Sequence, residues 1–153
     1  MELGTITRHL HIQATPDVVY HVITSPEHLR EWWPDDVDLE PVAGAHGSDT
    51  FGEPGARDRV VAPITVVEAD PPRRFAFRWL EDDPGSGTSA SLLVTFDLEA
   101  VDGGTLLHFS ETGFREKGWE VAMLEEAYAD HARGWDHFLP RLVAHAARVG
   151  ARP

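Results

Sequence analysis

The sequence has no cysteine, few basic residues, and no apolar run near the ~18 residues that a membrane-spanning helix needs. The missing cysteines exclude disulfides, thiolate nucleophiles and cysteine-based metal sites. With 13 lysines and arginines against 26 acidic residues, the net charge of −13 repels phosphate groups. We therefore expect neither a nucleic acid nor an anionic membrane as a partner. Residues 1–20 contain no apolar signal-peptide segment, which favours a cytoplasmic protein.

Motifs for common cofactors are also missing. The sequence has no P-loop and no Gly-x-Ser-x-Gly elbow. Gly85–Ala90 matches a dinucleotide-binding pattern in its spacing, but it precedes a predicted strand, Leu92–Leu98, where the motif requires a helix. We predict a hairpin loop there and no cofactor.

Metal-binding motifs are missing as well. The nine histidines include no His-Glu-x-x-His, and no Glu is followed three residues later by His. His9 and His11 stand two residues apart on one face of a predicted strand, a spacing that can bind a metal. No third ligand accompanies them in the sequence. We therefore predict surface histidines and no metal site.

An amphipathic segment near the C-terminus, Gly118–Val149, predicts one long helix. Its large side chains recur every three or four residues and form a single stripe, with acidic residues opposite. The stripe consists of Tyr128, His131, Trp135, Phe138, Leu139, Leu142, Ala146 and Val149. Pro140 cannot donate to the carbonyl of Asp136, so we expect a bend there.

The rest of the chain predicts an antiparallel sheet and two short helices. Residues 5–12 alternate as a strand, and Thr15-Pro16-Asp17 and Ser25-Pro26-Glu27 each combine a hydroxyl N-cap, a proline and an acid at a helix start. Further alternating segments are predicted at 36–43, 47–53, 57–68, 73–81, 89–100 and 104–113. Residues 1–150 form a single domain in this interpretation, with a frayed tail at 151–153.

Several motifs, taken in order, resemble one superfamily. They are Ala14–Tyr20, Thr24–Leu29 with Trp32-Trp33, Asp70–Phe75 with Trp79, Val94–Leu98, Gly104-Thr105, Glu111–Phe114 and His131–Trp135. Together they resemble the START-like (SRPBCC) superfamily, and within it the group named for activators of the heat-shock-protein-90 ATPase. The resemblance implies an α+β helix-grip fold, in which a curved antiparallel sheet of six or seven strands wraps around the long C-terminal helix. The two short helices would lie between strands 1 and 2.

The large aromatic side chains suggest a pocket between helix and sheet. Their positions in the strand and helix patterns, together with the implied fold, place most of them on the inward side. There they would either line a pocket for a flat apolar ligand or simply fill the core. The candidate wall residues are Trp32, Trp33, Phe77, Trp79, Phe109 and Trp135.

Three polar residues would form one end of this pocket. Glu111 alternates in step with Leu107 and Phe109, so it lies on the inward face of its strand. Burying a carboxylate without a partner costs several kcal/mol or raises its pKa. His131 and Tyr128 lie on the helix face that should oppose it. The group could act as a general acid/base, orient a ligand, or pin the helix to the sheet by hydrogen bonds.

Three functions follow from this interpretation. The leading hypothesis is a domain that binds a small apolar or aromatic molecule between the C-terminal helix and the sheet. The second is a cofactor-free lyase, cyclase or hydrolase that uses Glu111 and His131. The third is a protein-interaction module of the chaperone-activator kind, and homodimerisation is compatible with all three.

Overall fold

The computed structural model describes residues 4–53, 55–57, 59–79, 91–114 and 121–151. Seven strands and three helices follow one another along the chain, and the two short helices lie between the first two strands. The elements are β1 (Thr5–Ile12), α1 (Pro16–Thr24), α2 (Pro26–Trp32), β2 (Asp36–Asp38), β3 (His46–Phe51), β4 (Val60–Asp70), β5 (Arg74–Trp79), β6 (Leu92–Val101), β7 (Gly104–Thr112) and α3 (Val121–Gly150).

All seven strands form one antiparallel sheet in the order β1-β7-β6-β5-β4-β3-β2. Strand β1 pairs with the last strand, and the others follow as a meander of neighbours. The long helix α3 lies against β1, α1 and α2. This is the α+β helix-grip architecture that the resemblance implied.

The register of the pairs places one continuous row of side chains on the inner face. Glu111 of β7 stands opposite Ile6 on one side and Val94 on the other. Val94 in turn faces Phe77 of β5, which faces Val66 of β4. All five side chains are buried because successive residues of a strand alternate between the two faces of the sheet.

Both short helices begin at their predicted prolines, but only one of them has the predicted side-chain cap. The Thr15 hydroxyl accepts a hydrogen bond from the Val18 amide at 3.4 Å. The Ser25 hydroxyl makes no capping bond, which corrects the second prediction. The Ser25 amide instead donates to the carbonyl of His21 and closes α1, so one residue ends a helix and begins the next.

Helix α3 buries the predicted stripe at Trp135, Leu139, Leu142 and Ala146. It continues as α-helix through Pro140, which lies on the exposed side. There the carbonyl of Asp136 can hydrogen-bond water in place of the missing amide, which explains why the helix does not end. No helix in the described part of the chain is both long and apolar enough to cross a membrane.

The predicted strand at 36–43 was too long. Only Asp36–Asp38 pairs as β2, and the chain then turns through Glu40–Ala45, where the amides of Val42 and Ala45 donate to the carbonyls of Glu40 and Val42. Gly44, directly after the predicted segment, has a φ of +90° and forms part of this turn. The other strands lie within three residues of their predicted bounds, and the predicted loop Gly85–Ala90 falls outside the described residues.

Candidate functional site

Glu111 lies near the end of β7 on the inner face of the sheet, and its side chain is 0% exposed. It has three hydrogen-bond donors. Trp79 Nε1 donates to Oε2 at 2.8 Å, and Trp135 Nε1 and His131 Nδ1 both lie near Oε1, at 2.9 and 2.8 Å. Both carboxylate oxygens are therefore satisfied without solvent. We call these four residues the Glu111 cluster.

The Glu111 cluster joins three elements that are distant in sequence. Trp79 ends β5, Glu111 belongs to β7, and His131 and Trp135 are one turn apart on α3. Residues four apart on a helix share a face, so both α3 donors point to the same carboxylate. The carboxylate therefore fastens the helix to the sheet and sets the orientation of two indole rings.

His131 is held by its partners on several sides. Because the Glu111 carboxylate only accepts hydrogen bonds, we assign the proton to Nδ1, and Nε2 of the neutral ring is then an acceptor. Phe114 and Trp79 pack against the imidazole edge-on, with ring centroids 5.4 and 5.8 Å away. This imidazole is oriented by a buried carboxylate and by aromatic neighbours.

Tyr128, predicted to join this group, lies elsewhere. Its hydroxyl donates to the backbone carbonyl of Thr5 at 3.2 Å, on strand β1. It is one turn before His131 on the helix, so the periodicity was right. Its acceptor is the Thr5 carbonyl and not Glu111, whose two carboxylate oxygens already accept from Trp79, Trp135 and His131.

Most of the predicted aromatic residues surround Trp33, which follows α2. Its ring centroid lies 5.0 Å from that of Trp135, 5.3 Å from Trp79 and 5.8 Å from Phe77. Contacts at these distances are typical of packed aromatic clusters. The aromatic side chains therefore fill much of the space between the sheet and α3.

An open cleft of about 150 Å³ remains at the edge of this aromatic cluster. We call it the tryptophan cleft. It is lined by Trp33, Phe51, Trp79, Asp130, His131, Gly134, Trp135 and Phe138. Four of the nine predicted ligand-binding residues are in this lining. The other five, Trp32, Phe77, Phe109, Glu111 and Tyr128, lie behind or beside it.

The residues that do not line the cleft have other roles. Trp32 is fully buried and donates its indole N–H to the carbonyl of Val22 at 3.2 Å. Phe109 packs on Trp135 with ring centroids 4.6 Å apart and also contacts Phe96. Phe77 is buried beside Trp33. These side chains support the cleft walls from the core.

Sequence reasoning missed four residues of the lining. Phe138 belonged to the predicted helix stripe and Phe51 to a predicted strand, so both were visible as apolar residues. No sequence pattern indicated that Gly134 lines a cleft. In the structure, a Cβ added at Gly134 would meet nothing within 4 Å. Its missing side chain leaves room at the mouth of the cleft. Asp130 was taken as part of the water-facing side of the helix, and it is exposed.

A second buried carboxylate, Asp49 of β3, was also missed. It is 1% exposed, its Oδ2 has no hydrogen-bond partner, and burial raises its pKa to about 7. It borders a void of about 10 Å³ behind Trp33, enough for one water molecule at most. Asp49 therefore lies behind the wall of the tryptophan cleft, in apolar surroundings.

The predicted histidine pair on β1 does not form a site by itself. His9 Nδ1 lies 2.9 Å from Nδ1 of His108, its cross-strand partner on β7. His108 in turn contacts Glu99 at 3.0 Å. His11 is exposed on the same face of β1. These histidines are on the outer surface of the sheet, as predicted.

The sequence matches one family. A model of the family described as "Activator of Hsp90 ATPase homolog 1-like protein" matches residues 13–147. The matched segment includes every residue of the tryptophan cleft and of the Glu111 cluster. No curated protein matches the chain significantly.

Many solved structures share the fold. Protein MLL2253 from Mesorhizobium loti has a TM-score of 0.76 at 22% identity, over 94% of this chain and 97% of that one. The Aha1 dimer from Colwellia psychrerythraea has 0.67 at 22%, over 97% and 98%. DynU16, from the dynemicin biosynthetic locus, has 0.69 at 21%, over 93% of this chain and 46% of its own. At these identities the likeness establishes the fold alone.

Proposed function

The chain belongs to the Activator of Hsp90 ATPase homolog 1-like family, and we propose that it binds a small, flat aromatic molecule in the tryptophan cleft. The observation that carries the proposal is the buried Glu111 carboxylate, which holds two of the cleft's three indole rings by hydrogen bonds. Side chains fixed in this way form a rigid binding wall before a ligand arrives, and a rigid wall lowers the entropy lost on binding.

The volume of the cleft limits the size of the ligand. An engineered apolar cavity of roughly 150 Å³ in another protein holds a benzene molecule. A cleft of about 150 Å³ would thus enclose one aromatic ring and leave any further part of the ligand in solvent. The cleft is open to solvent beside Gly134, so the remaining part of the ligand would extend out at this point.

The polarity of the lining limits the ligand further. In the described part of the chain, the lining residues include one imidazole, His131, one carboxylate, Asp130, and no Lys or Arg. Neutral His131 offers Nε2 as an acceptor, and Asp130 accepts as well. With a net charge of −13 the whole protein also repels anions. A neutral or cationic aromatic compound with a hydrogen-bond donor, such as a phenol or an aryl amine, fits these conditions.

Ligand binding is tested by filling the cleft. Gly134→Phe would place a ring in open space on α3, and Glu126→Phe would add the same ring to an exposed position of the same helix. Phenols and aryl amines are titrated while the tryptophan fluorescence and the melting temperature are followed. We expect the wild type and Glu126→Phe to bind, and Gly134→Phe to lose at least tenfold in affinity.

Two results would contradict the proposal. One is a wild-type protein that no compound of the aromatic panel stabilises. The other is an affinity that Gly134→Phe leaves unchanged. In the first case a protein-interaction module becomes the better hypothesis, and a chaperone contact and a homodimer, which the sequence allows but does not fix, would be tested next.

A second candidate function is supported by the pairing of Glu111 with His131. A carboxylate 2.8 Å from Nδ1 orients an imidazole and fixes its tautomer, as in hydrolase triads. The carboxylate itself is buried and fully hydrogen-bonded, so the acid/base role expected for Glu111 passes to Nε2 of His131. Among the described residues the cleft lining contains no Ser or Thr, and the chain has no Cys, so a lyase or cyclase that removes a proton fits better than a hydrolase with a covalent intermediate.

This enzyme function has a test of its own. A compound that binds the cleft and carries an acidic C–H bond is incubated in D₂O, and deuterium incorporation is followed by NMR. We expect incorporation with the wild type and at least a hundredfold slower incorporation with His131→Gln, with binding retained. Equal rates in both proteins would eliminate His131 as a base and leave binding alone.

A further inference from the structure

Three histidines from three helices lie together at a place that the proposed function does not use. His21 lies in the last turn of α1, His28 belongs to α2 and His145 to the last part of α3. His145 is fourteen residues beyond His131, which at ~1.5 Å per residue places it roughly 21 Å further along the helix. With Glu27 of α2 they form a group that we call the histidine cluster, separate from the tryptophan cleft.

The geometry of the histidine cluster is suited to a metal ion. One ligand atom from each of His21, Glu27 and His28 lies within 4.8 Å of the other two. Glu27 Oε1 is 3.6 Å from His28 Nε2. Ligands of a tetrahedral ion with bonds of about 2.0–2.1 Å are separated by roughly 3.4 Å. His21 and Glu27 are exposed, so small side-chain rotations bring their atoms to that separation.

The buried side of the cluster provides the support that metal-binding histidines need. His145 is only 6% exposed, and its Nε2 lies 3.0 Å from Nδ1 of His28. If Nδ1 of His28 donates this bond, Nε2 of His28 is free of its proton and directed to Glu27 and His21. Metal-binding histidines almost always donate their second ring nitrogen in this way, which fixes the tautomer and the ring. His145 would therefore act as a positioning residue.

The surroundings give an ion access and a favourable charge. An open pocket of about 380 Å³ is lined by Glu27, His28, Glu31, His145 and Arg148. Glu31 follows Glu27 by one helical turn and lines the same pocket, and water can complete the coordination. Arg148 opposes a cation, but two carboxylates outnumber it, and the whole chain is strongly acidic.

We propose that His21, Glu27 and His28 bind one divalent transition-metal ion, with His145 orienting His28. Two imidazoles and a carboxylate are the donors that suit zinc, nickel, cobalt and copper, and they are poor donors for magnesium or calcium. The ion would tie α1 to α2 beside α3. Sequence reasoning expected no metal site because the ligands come from two helices and follow no recognised spacing.

The test uses the untagged full chain, because an affinity tag of histidines would bind the same metals. Zn²⁺ and Ni²⁺ are titrated by calorimetry, and Co²⁺ is added to record its visible spectrum. We expect one ion per chain. His21→Gln, Glu27→Gln and His28→Gln should each weaken Zn²⁺ binding at least tenfold, and His145→Asn about 10- to 100-fold with the stoichiometry unchanged.

A matched control separates this site from ordinary surface histidines. His9→Gln removes one member of the His9–His108 pair on the outer face of the sheet and should leave Zn²⁺ affinity unchanged. Circular dichroism checks that every variant is folded. His145 is buried, so His145→Asn could unfold the protein. In that case the conclusion rests on His21→Gln and Glu27→Gln, which change exposed residues. Affinity that is lost in His9→Gln, or kept in the His21→Gln/His28→Gln double variant, would overturn the proposal.

Discussion

His131 Nδ1 lies 2.8 Å from Glu111 Oε1, across the interface between α3 and β7. The same oxygen accepts from Trp135, and the second oxygen accepts from Trp79. One buried carboxylate therefore positions the imidazole and two indoles of the tryptophan cleft. Stability and the proposed ligand recognition involve the same four side chains, so substitutions must separate the two effects.

The first prediction concerns the carboxylate itself. Glu111→Gln keeps the size of the side chain but removes the charge. Its N–H₂ group replaces one of the two oxygens and then faces at least one indole N–H, which leaves a buried N–H unsatisfied. We expect a loss of roughly 3 kcal/mol in the free energy of unfolding and a shift in tryptophan emission. Urea unfolding followed by fluorescence measures both. Glu126→Gln, exposed on the same helix, serves as the control and should change stability by no more than about 0.5 kcal/mol.

The second prediction concerns pH. Burial raises the pKa of Asp49 to about 7, against 3.8 for the ordinary side chain. Between these values the folded state holds a proton that the unfolded state has released, so stability falls as the pH rises from about 4 to 7 and stays low above 7. The full effect is at most roughly 4 kcal/mol.

Asp49→Asn tests this linkage because the amide cannot ionise. The variant should match the wild type below about pH 4 and become progressively more stable than it between pH 4 and 7, as measured by urea unfolding at several pH values. A difference between the two proteins that is independent of pH would mean that Asp49 is ionised throughout this range.

The third prediction compares two glycines. Gly113 has a φ of +108°, and a Cβ there would lie 2.6 Å from the carbonyl oxygen of Ser91. Gly134 lies inside α3, where a Cβ would meet nothing within 4 Å. Gly113→Ala should therefore destabilise the protein by more than about 1 kcal/mol, and Gly134→Ala should stabilise it by roughly 0.5–1 kcal/mol. Thermal unfolding should show opposite shifts, and shifts of the same sign would contradict the geometry.

The fourth prediction concerns the ion pair between Arg8 of β1 and Asp136 of α3. Arg8 Nε and a second guanidinium nitrogen donate to the two carboxylate oxygens at 2.8 and 3.1 Å. The hydrogen bond from Arg8 lowers the pKa of Asp136. The stability that the ion pair contributes is therefore present above pH 4 and is lost as the pH falls through the folded-state pKa of Asp136. Both side chains are partly exposed, which limits the contribution.

A double-mutant cycle with Arg8→Ala and Asp136→Ala measures the pair. We expect a coupling free energy of about 0.5–1 kcal/mol in low salt that falls as salt is added. A coupling above about 2 kcal/mol would show that water screens the pair less than its exposure suggests.

Local patterns were sufficient to predict the order of elements and the inward residues. Strand alternation placed Glu111 on the inner face, and helical periodicity placed His131 and Trp135 on the stripe that faces it. Proline and hydroxyl residues marked the starts of α1 and α2. These features depend on residues close together in the chain, so the sequence alone determined them, and the family resemblance added the helix-grip arrangement.

Only the tertiary structure decided which side chains meet. Tyr128 bonds to Thr5 rather than Glu111, Oδ2 of buried Asp49 has no hydrogen-bond partner among the described residues, and His28 approaches both His21 and His145. Each of these contacts depends on the register and packing of elements that are far apart in sequence. Periodicity predicts the face on which a residue lies, but the partner on that face is set by distances between elements, which no local pattern contains.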